Sequence, residues 1–135
     1  MRTYVNNDIY NALPEGLKEN IINTKVVSSH GSGGETNFTS EDKIYLLSIK
    51  EIYGTPSSYD TVGVETRQLD YYKTNGVTTD SYSGAIKNYN GSSAIWWLRS
   101  ASSSHSDIFC RVISNGAWTG NTANNTHGVA VAFRI

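Results

Sequence analysis

Ser104-His105-Ser106-Asp107 sets a hydroxyl, an imidazole and a carboxylate within four residues. These are the groups from which serine hydrolases build nucleophile, general base and orienting acid. Neighbours on a strand or loop point apart, however, and the G-x-S-x-G elbow that presents a nucleophilic serine is absent. Cys110 is the single thiol. Lying between Phe109 and Val112 on a strand, it reads as a buried, inert cysteine. One cysteine supplies neither a disulfide framework nor a Cys-based zinc site. His30, His105 and His127 have no ligand spacing, so no metal is expected. His30–Thr39 carries Gly31, Gly33 and Gly34 but lacks the Lys-Ser/Thr of a phosphate loop, and reads as a flexible surface loop. The chain is expected not to be an enzyme and to hold no cofactor.

What the composition favours is recognition. There are 17 Ser, 13 Thr and 13 Asn, against 17% charged residues, together with 9 Tyr, 3 Trp and 3 Phe. A net charge of −1 argues against the cationic surface that nucleic acid or an anionic membrane requires. No apolar run approaches the ~20 residues of a membrane span. Residues 1–98 contain 14 Lys, Glu, Gln or Met, and residues 99–135 contain none. In that second segment, apolar or small residues (Phe109, Cys110, Val112, Gly116, Trp118, Ala123, Gly128, Val129, Ala132, Phe133) alternate with polar runs at 102–107, 119–122 and 124–127. Short hydroxyl and amide side chains beside rigid aromatics resemble the chemistry of antibody loops. Ordinary solvated loops have the same composition, and both readings stay open.

The elements that must position these residues can be read from periodicity. Asp8–Ile22 reads as helical, with Asp8 as cap and Ile9, Leu13, Leu17 and Ile21 on one face; Pro14 makes two short helices as good a reading as one. Lys43–Ile49 reads as a buried strand, after which Ser48 caps a turn over Lys50–Tyr53 ended by Gly54. Thr66–Asn75 reads as a helix ended by Gly76, with Tyr71 and Tyr72 on the core. Ser93–Ser100 is an aromatic strand whose Trp96 and Trp97 point to opposite faces. Phe109–Ser114 alternates, Asn115-Gly116 is a turn, and Val129–Ile135 reads as a strand buried inside a sheet. A chain of 135 residues makes one domain. The expected class is α+β, with short helices on a small twisted antiparallel sheet and much loop.

Trp96-Trp97-Leu98-Arg99-Ser100, followed by Gly128-Val129 and Ala132-Phe133-Arg134-Ile135, resembles a bacterial and phage domain family ending in WWLRS…GVxPAF. The opening Arg2-Thr3-Tyr4-Val5-Asn6 through Leu13-Pro14 and Leu17-Lys18, the segment Asp42–Ile52 and the segment Thr66–Lys73 extend the likeness over nearly the whole chain. That family is similar to C-type-lectin-like domains of the formylglycine-generating-enzyme type, the variable ligand-binding ends of proteins diversified by retroelements. Mutagenesis of the adenines in AAC or AAT never yields Lys, Glu, Gln, Met or Trp, which matches the compositional break after Arg99. Trp118 is then a fixed scaffold residue. Ala130 and Val131 depart from the pattern, standing where Arg/Val and Pro are usual. The usual upstream strands are absent, so residues 1–135 are expected to be the C-terminal part of a longer protein, with residues 100–127 as the variable segment.

The resemblance implies variable, ligand-binding positions at Ser102, Ser103, Ser104, His105, Ser106, Asp107, Ile108, Arg111, Ile113, Thr119, Asn121, Thr122, Asn124, Asn125 and Thr126, with Trp96, Trp97, Phe109 and Phe133 as anchors. It does not imply the enzyme's activity, which needs a cysteine pair. Calcium-dependent sugar binding would need a Pro-flanked acidic or amide motif that is also missing. The expected function is recognition of a protein or glycan ligand on a target cell or phage surface, without nucleic acid or membrane insertion. The implied location is a virion tail or bacterial cell surface, although Met1–Tyr10 is too polar for a signal peptide. The alternative is a structural cap or oligomerisation domain of a tail fibre or surface protein; oligomeric state is open.

Overall fold

The computed structural model describes residues 1–34, 36–55, 59–60 and 67–135. It is an α+β domain of short helices and small, mostly antiparallel sheets joined by long loops. Helix α1 (Arg2–Tyr4) runs directly into a π-helical turn (Val5–Ile9), and α2 (Glu15–Lys18) follows Pro14. The helix thus starts at Arg2, and Asp8 lies inside the π turn rather than capping. Pro14, at ψ 140°, breaks the run in two. The expected face holds: Ile9, Leu13 and Leu17 pack around buried Val5 and Ile21.

Strands β1 (Thr24–Ser28) and β2 (Phe38–Asp42) form an antiparallel hairpin. Phe38 and Thr39, expected in the glycine-rich loop, therefore belong to a strand. Strand β3 (Ile44–Leu46) is shorter than expected, because Ile49 already begins helix α3 (Ile49–Tyr53). Ser48 does cap that helix: its hydroxyl accepts from Glu51 N, while the Glu51 carboxylate accepts from Ser48 N at 2.8 Å. Gly54 ends it at φ +77°. Helix α4 (Asp70–Thr74) occupies the end of the expected 66–75 helix, of which residue 66 lies outside the described residues. Tyr72 is buried, but Tyr71 is exposed and not part of the core.

The expected Ser93–Ser100 strand is two strands. A hairpin of β4 (Lys87–Tyr89) and β5 (Ser92–Ala94) turns at Asn90-Gly91, both at positive φ, and β6 (Trp96–Ala101) follows. Strands β7 (Ile108–Val112) and β8 (Trp118–Thr122) form a third hairpin through Asn115-Gly116. The C-terminal segment is also divided. Strand β9 (Gly128–Val129) runs parallel to β6, and β10 (Val131–Phe133) crosses over to pair antiparallel with β3. The principal sheet has the order β8-β7-β6-β9. The apolar terminal run is thus not buried inside one sheet: it links two, and Ile135 is exposed.

Trp96 and Trp97 point to opposite faces, as period-2 geometry requires. Trp96 joins Leu98, Cys110 and Val112 against α3 and Tyr72, whereas Trp97 joins Ile44, Leu46 and the N-terminal helices. Phe109 and Phe133 are each 37% exposed and do not anchor the core. Phe109 faces away from Cys110 and Val112, which point inward from the same strand. The rest of the WWLRS motif holds α3. Arg99 donates to Leu46 O at 2.9 Å and pairs with buried Glu51, and the Ser100 hydroxyl accepts from Ile49 N at 2.9 Å while donating to Asp60.

Candidate functional site

The hairpin geometry brings two of the polar runs together. Ser102 N donates to Ile108 O at 2.9 Å, closing the β6–β7 loop, and Ala123 N donates to Asp107 O at 2.8 Å, tying the loop after β8 to it. The glycine-rich loop joins the same end: Ser29 Oγ accepts from Ala101 N at 3.2 Å, and Gly31 at φ +68° lies against Ala101 and Ser102. Little in the sequence marked this third loop as a neighbour.

Ser103, Ser104, His105, Ser106 and Asp107 are exposed, as are Asn124, Asn125 and Thr126. Ser102 is not on the surface. It is buried, and its hydroxyl accepts from Ser104 N and His105 N, so it shapes the loop from below. Ile108 is half-buried beneath Gly120, where an added Cβ would meet its methyl group at 2.9 Å. Thr119 stands opposite Arg111, Asn121 opposite Phe109 and Thr122 opposite Ile108. Ile113 is set apart, since it closes the β7–β8 turn at the far end of the hairpin, with Ile113 N donating to Ala117 O.

On the face of the sheet that carries Phe109 and Arg111, a residue not among those expected organises the surface. His127, just before β9, lays its ring 4.7 Å from that of Trp97. Its Nε2 lies 2.6 Å from Arg111 Nη1 and 2.9 Å from Asn121 Nδ2. A guanidinium can only donate, so Nε2 accepts and the imidazole is neutral with its proton on Nδ1. Partial burial first, and then the Arg111 charge, push the His127 pKa below its ordinary value. Asn121 Oδ1 in turn accepts from Thr122 N, and Thr122 Oγ1 donates to Asn124 Oδ1 at 2.8 Å. The loop over 123–127 is thereby fastened across the sheet, its tip exposed. The available signal was the alternation that puts Arg111 on the Trp97 side of the sheet; the histidine that meets it comes from sixteen residues later.

The hydrolytic groups do not assemble. Contrary to expectation, Ser104 Oγ and His105 Nδ1 do meet, at 2.9 Å, but both are exposed, and Asp107 makes no hydrogen bond to the imidazole. Cys110 is fully buried and donates to Thr119 O, and desolvation pushes its thiol well above the ordinary value. Among the described residues, no three His, Cys, Asp or Glu side chains cluster as metal ligands, and no helix is long and apolar enough to cross a membrane. A groove of about 530 Å³ adjoins the same sheet face, lined by apolar residues including Val5, Val26, Phe38, Ile44 and Phe109, with Arg2, Ser40 and Asp42 among its polar lining.

A family model described as a domain of unknown function, DUF6273, matches residues 1–135. No curated protein and no solved structure matches the chain.

Proposed function

We propose that this chain, which belongs to the DUF6273 family over all 135 of its residues, is a non-catalytic recognition domain. On this reading a C-type-lectin-like frame displays a diversifiable surface to a protein or glycan ligand, at a virion tail or bacterial cell surface. One observation carries it. The two polar runs free of Lys, Glu, Gln and Met fold back on each other through the Ala123–Asp107 bond, and their exposed side chains bond chiefly within their own loops. Such side chains can change without loss to the core. The WWLRS residues beneath them cannot, because each is either buried or bonded to α3.

Sequencing this coding region across its source population tests the proposal. Variation gathered at adenine-bearing codons between Ser103 and Thr126, with residues 96–100 and 128–135 fixed, is the expected result. Sparse, even variation would remove the diversified reading.

The groove supports a second reading, a capping or oligomerisation domain. Met1, Phe38 and Phe109 line it and are exposed, an apolar patch that a second copy could cover. Light scattering on the eluted protein decides: a stable oligomer favours the cap, and a monomer favours display.

A further inference from the structure

Arg111 is held in an unusual way. It is half-buried on β7, its Nη1 donates to His127, and its Nε is buried with no hydrogen-bond partner. Its Nη2 also has no partner among the described residues. Arg2, Arg67 and Arg99 each pair with an Asp or Glu. Arg134, which also has no acidic partner among the described residues, is exposed. Between residues 99 and 135 the single acidic residue is Asp107, which is exposed and makes no ion pair among the described residues. A half-buried guanidinium without a counter-charge is costly, and the neutral groups around it orient the charge without cancelling it.

We infer that Arg111 is the receptor for a carboxylate on the ligand of this face, supplied by an Asp or Glu side chain of a partner protein. The inference rests on the recognition reading above. The Nη1–His127 bond fixes the plane of the guanidinium, so Nη2 offers its two N–H donors in a set direction, suited to charge-assisted bonds. Thr119, directly opposite in the register, adds a hydroxyl, and partly exposed Phe109 offers apolar surface to the methylenes of an acidic side chain. A protein partner is favoured over an acidic sugar because Trp97, the flat ring on which a sugar would stack, is buried under the His127 ring.

The test is an NMR titration of the isotope-labelled full chain at constant ionic strength. The probes are N-acetyl-glutamate methylamide, its glutamine counterpart and N-acetylneuraminate. Saturable movement of the Arg111 Nε–Hε and His127 ring signals with the glutamate probe, absent with glutamine, is expected. Arg111→Gln should weaken that binding about tenfold or more. No saturable movement, an equal response to glutamine, or binding unchanged in Arg111→Gln would each overturn the assignment. Should Arg111→Gln fail to fold, the glutamate–glutamine contrast on the unaltered chain still decides. Neuraminate binding at least about tenfold tighter than glutamate would overturn the protein source. A glutamate response in a chain whose natural sequences do not vary would keep the receptor and remove the diversified surface; the opposite pair of results would remove only the receptor.

Discussion

Two aromatic residues on one face of the principal sheet carry very different loads. Trp97 is 5% exposed and Phe109 37% exposed. Trp97→Ala should cost about 3–5 kcal/mol in urea unfolding, because it removes a whole buried aromatic and leaves a cavity. Phe109→Ala should cost about 1–2 kcal/mol, since part of its surface already meets water. Similar losses for the two would show that Phe109 is an anchor after all. His127 adds a pH dependence of definite sign. Its folded pKa lies below the unfolded value of about 6.5, so between the two values the unfolded chain binds the proton first. The stability supplied by the neutral ring is complete above pH 6.5 and declines as pH falls through the folded value. Unfolding measured between pH 8 and 5 should show this slope, and His127→Gln should flatten it. A slope that survives in the variant belongs to another group.

At the scale of elements, α3 is a five-residue helix that could not persist alone. It is held by the Ser48–Glu51 capping box, by Ser100 at its first amide and by the buried Arg99–Glu51 pair. Arg99→Met alone should destabilise by about 3–5 kcal/mol, because it strands a buried carboxylate. Pairing it with Glu51→Gln, which removes the charge but keeps a side-chain oxygen for Ser48 N, should recover most of that loss; a double variant no better than the single would assign the cost to the lost bond to Leu46 O. Part of this was legible beforehand. Ser48, Gly54 and Asn115-Gly116 signal their turns locally, and the opposite facing of Trp96 and Trp97 follows from the pleat alone. The Arg99–Glu51 pairing spans 48 residues and has no local signature. The same holds for the split of the C-terminal strand at Ala130 and for the loop contact between Ala123 and Asp107. At the candidate site, composition marked the polar runs, but Ser102 carries the same residue type in a buried place, and Ile113, which the resemblance implied, lies at the far end of the hairpin. Only the hairpin geometry separates them, and only it brings in His127.

For the molecule as a whole, the recognition reading divides the chain into a frame and a display surface with different tolerances. Alanine at Ser103, Ser104, Ser106, Asn124 and Thr126 should each shift stability by no more than about 0.5 kcal/mol. The same set combined should leave the melting temperature nearly unchanged while abolishing binding to any ligand selected against the parent chain. General unfolding of these variants would mean that the loops belong to the frame. The crossing of the C-terminal segment from β6 to β3 has a further consequence, for synthesis. Strands β9 and β10 are the last of the ten described strands to emerge from the ribosome, and they fill one side of β6 in the principal sheet and pair with β3 beside the N-terminal helices. Until they arrive, both sheets are incomplete, whatever the loops contain. On the recognition reading, a diversified loop is therefore translated in full before the fold that must carry it can close. On that reading each new variant would meet a late checkpoint, at which a loop that prevents β9 and β10 from docking leaves an open chain exposed to degradation.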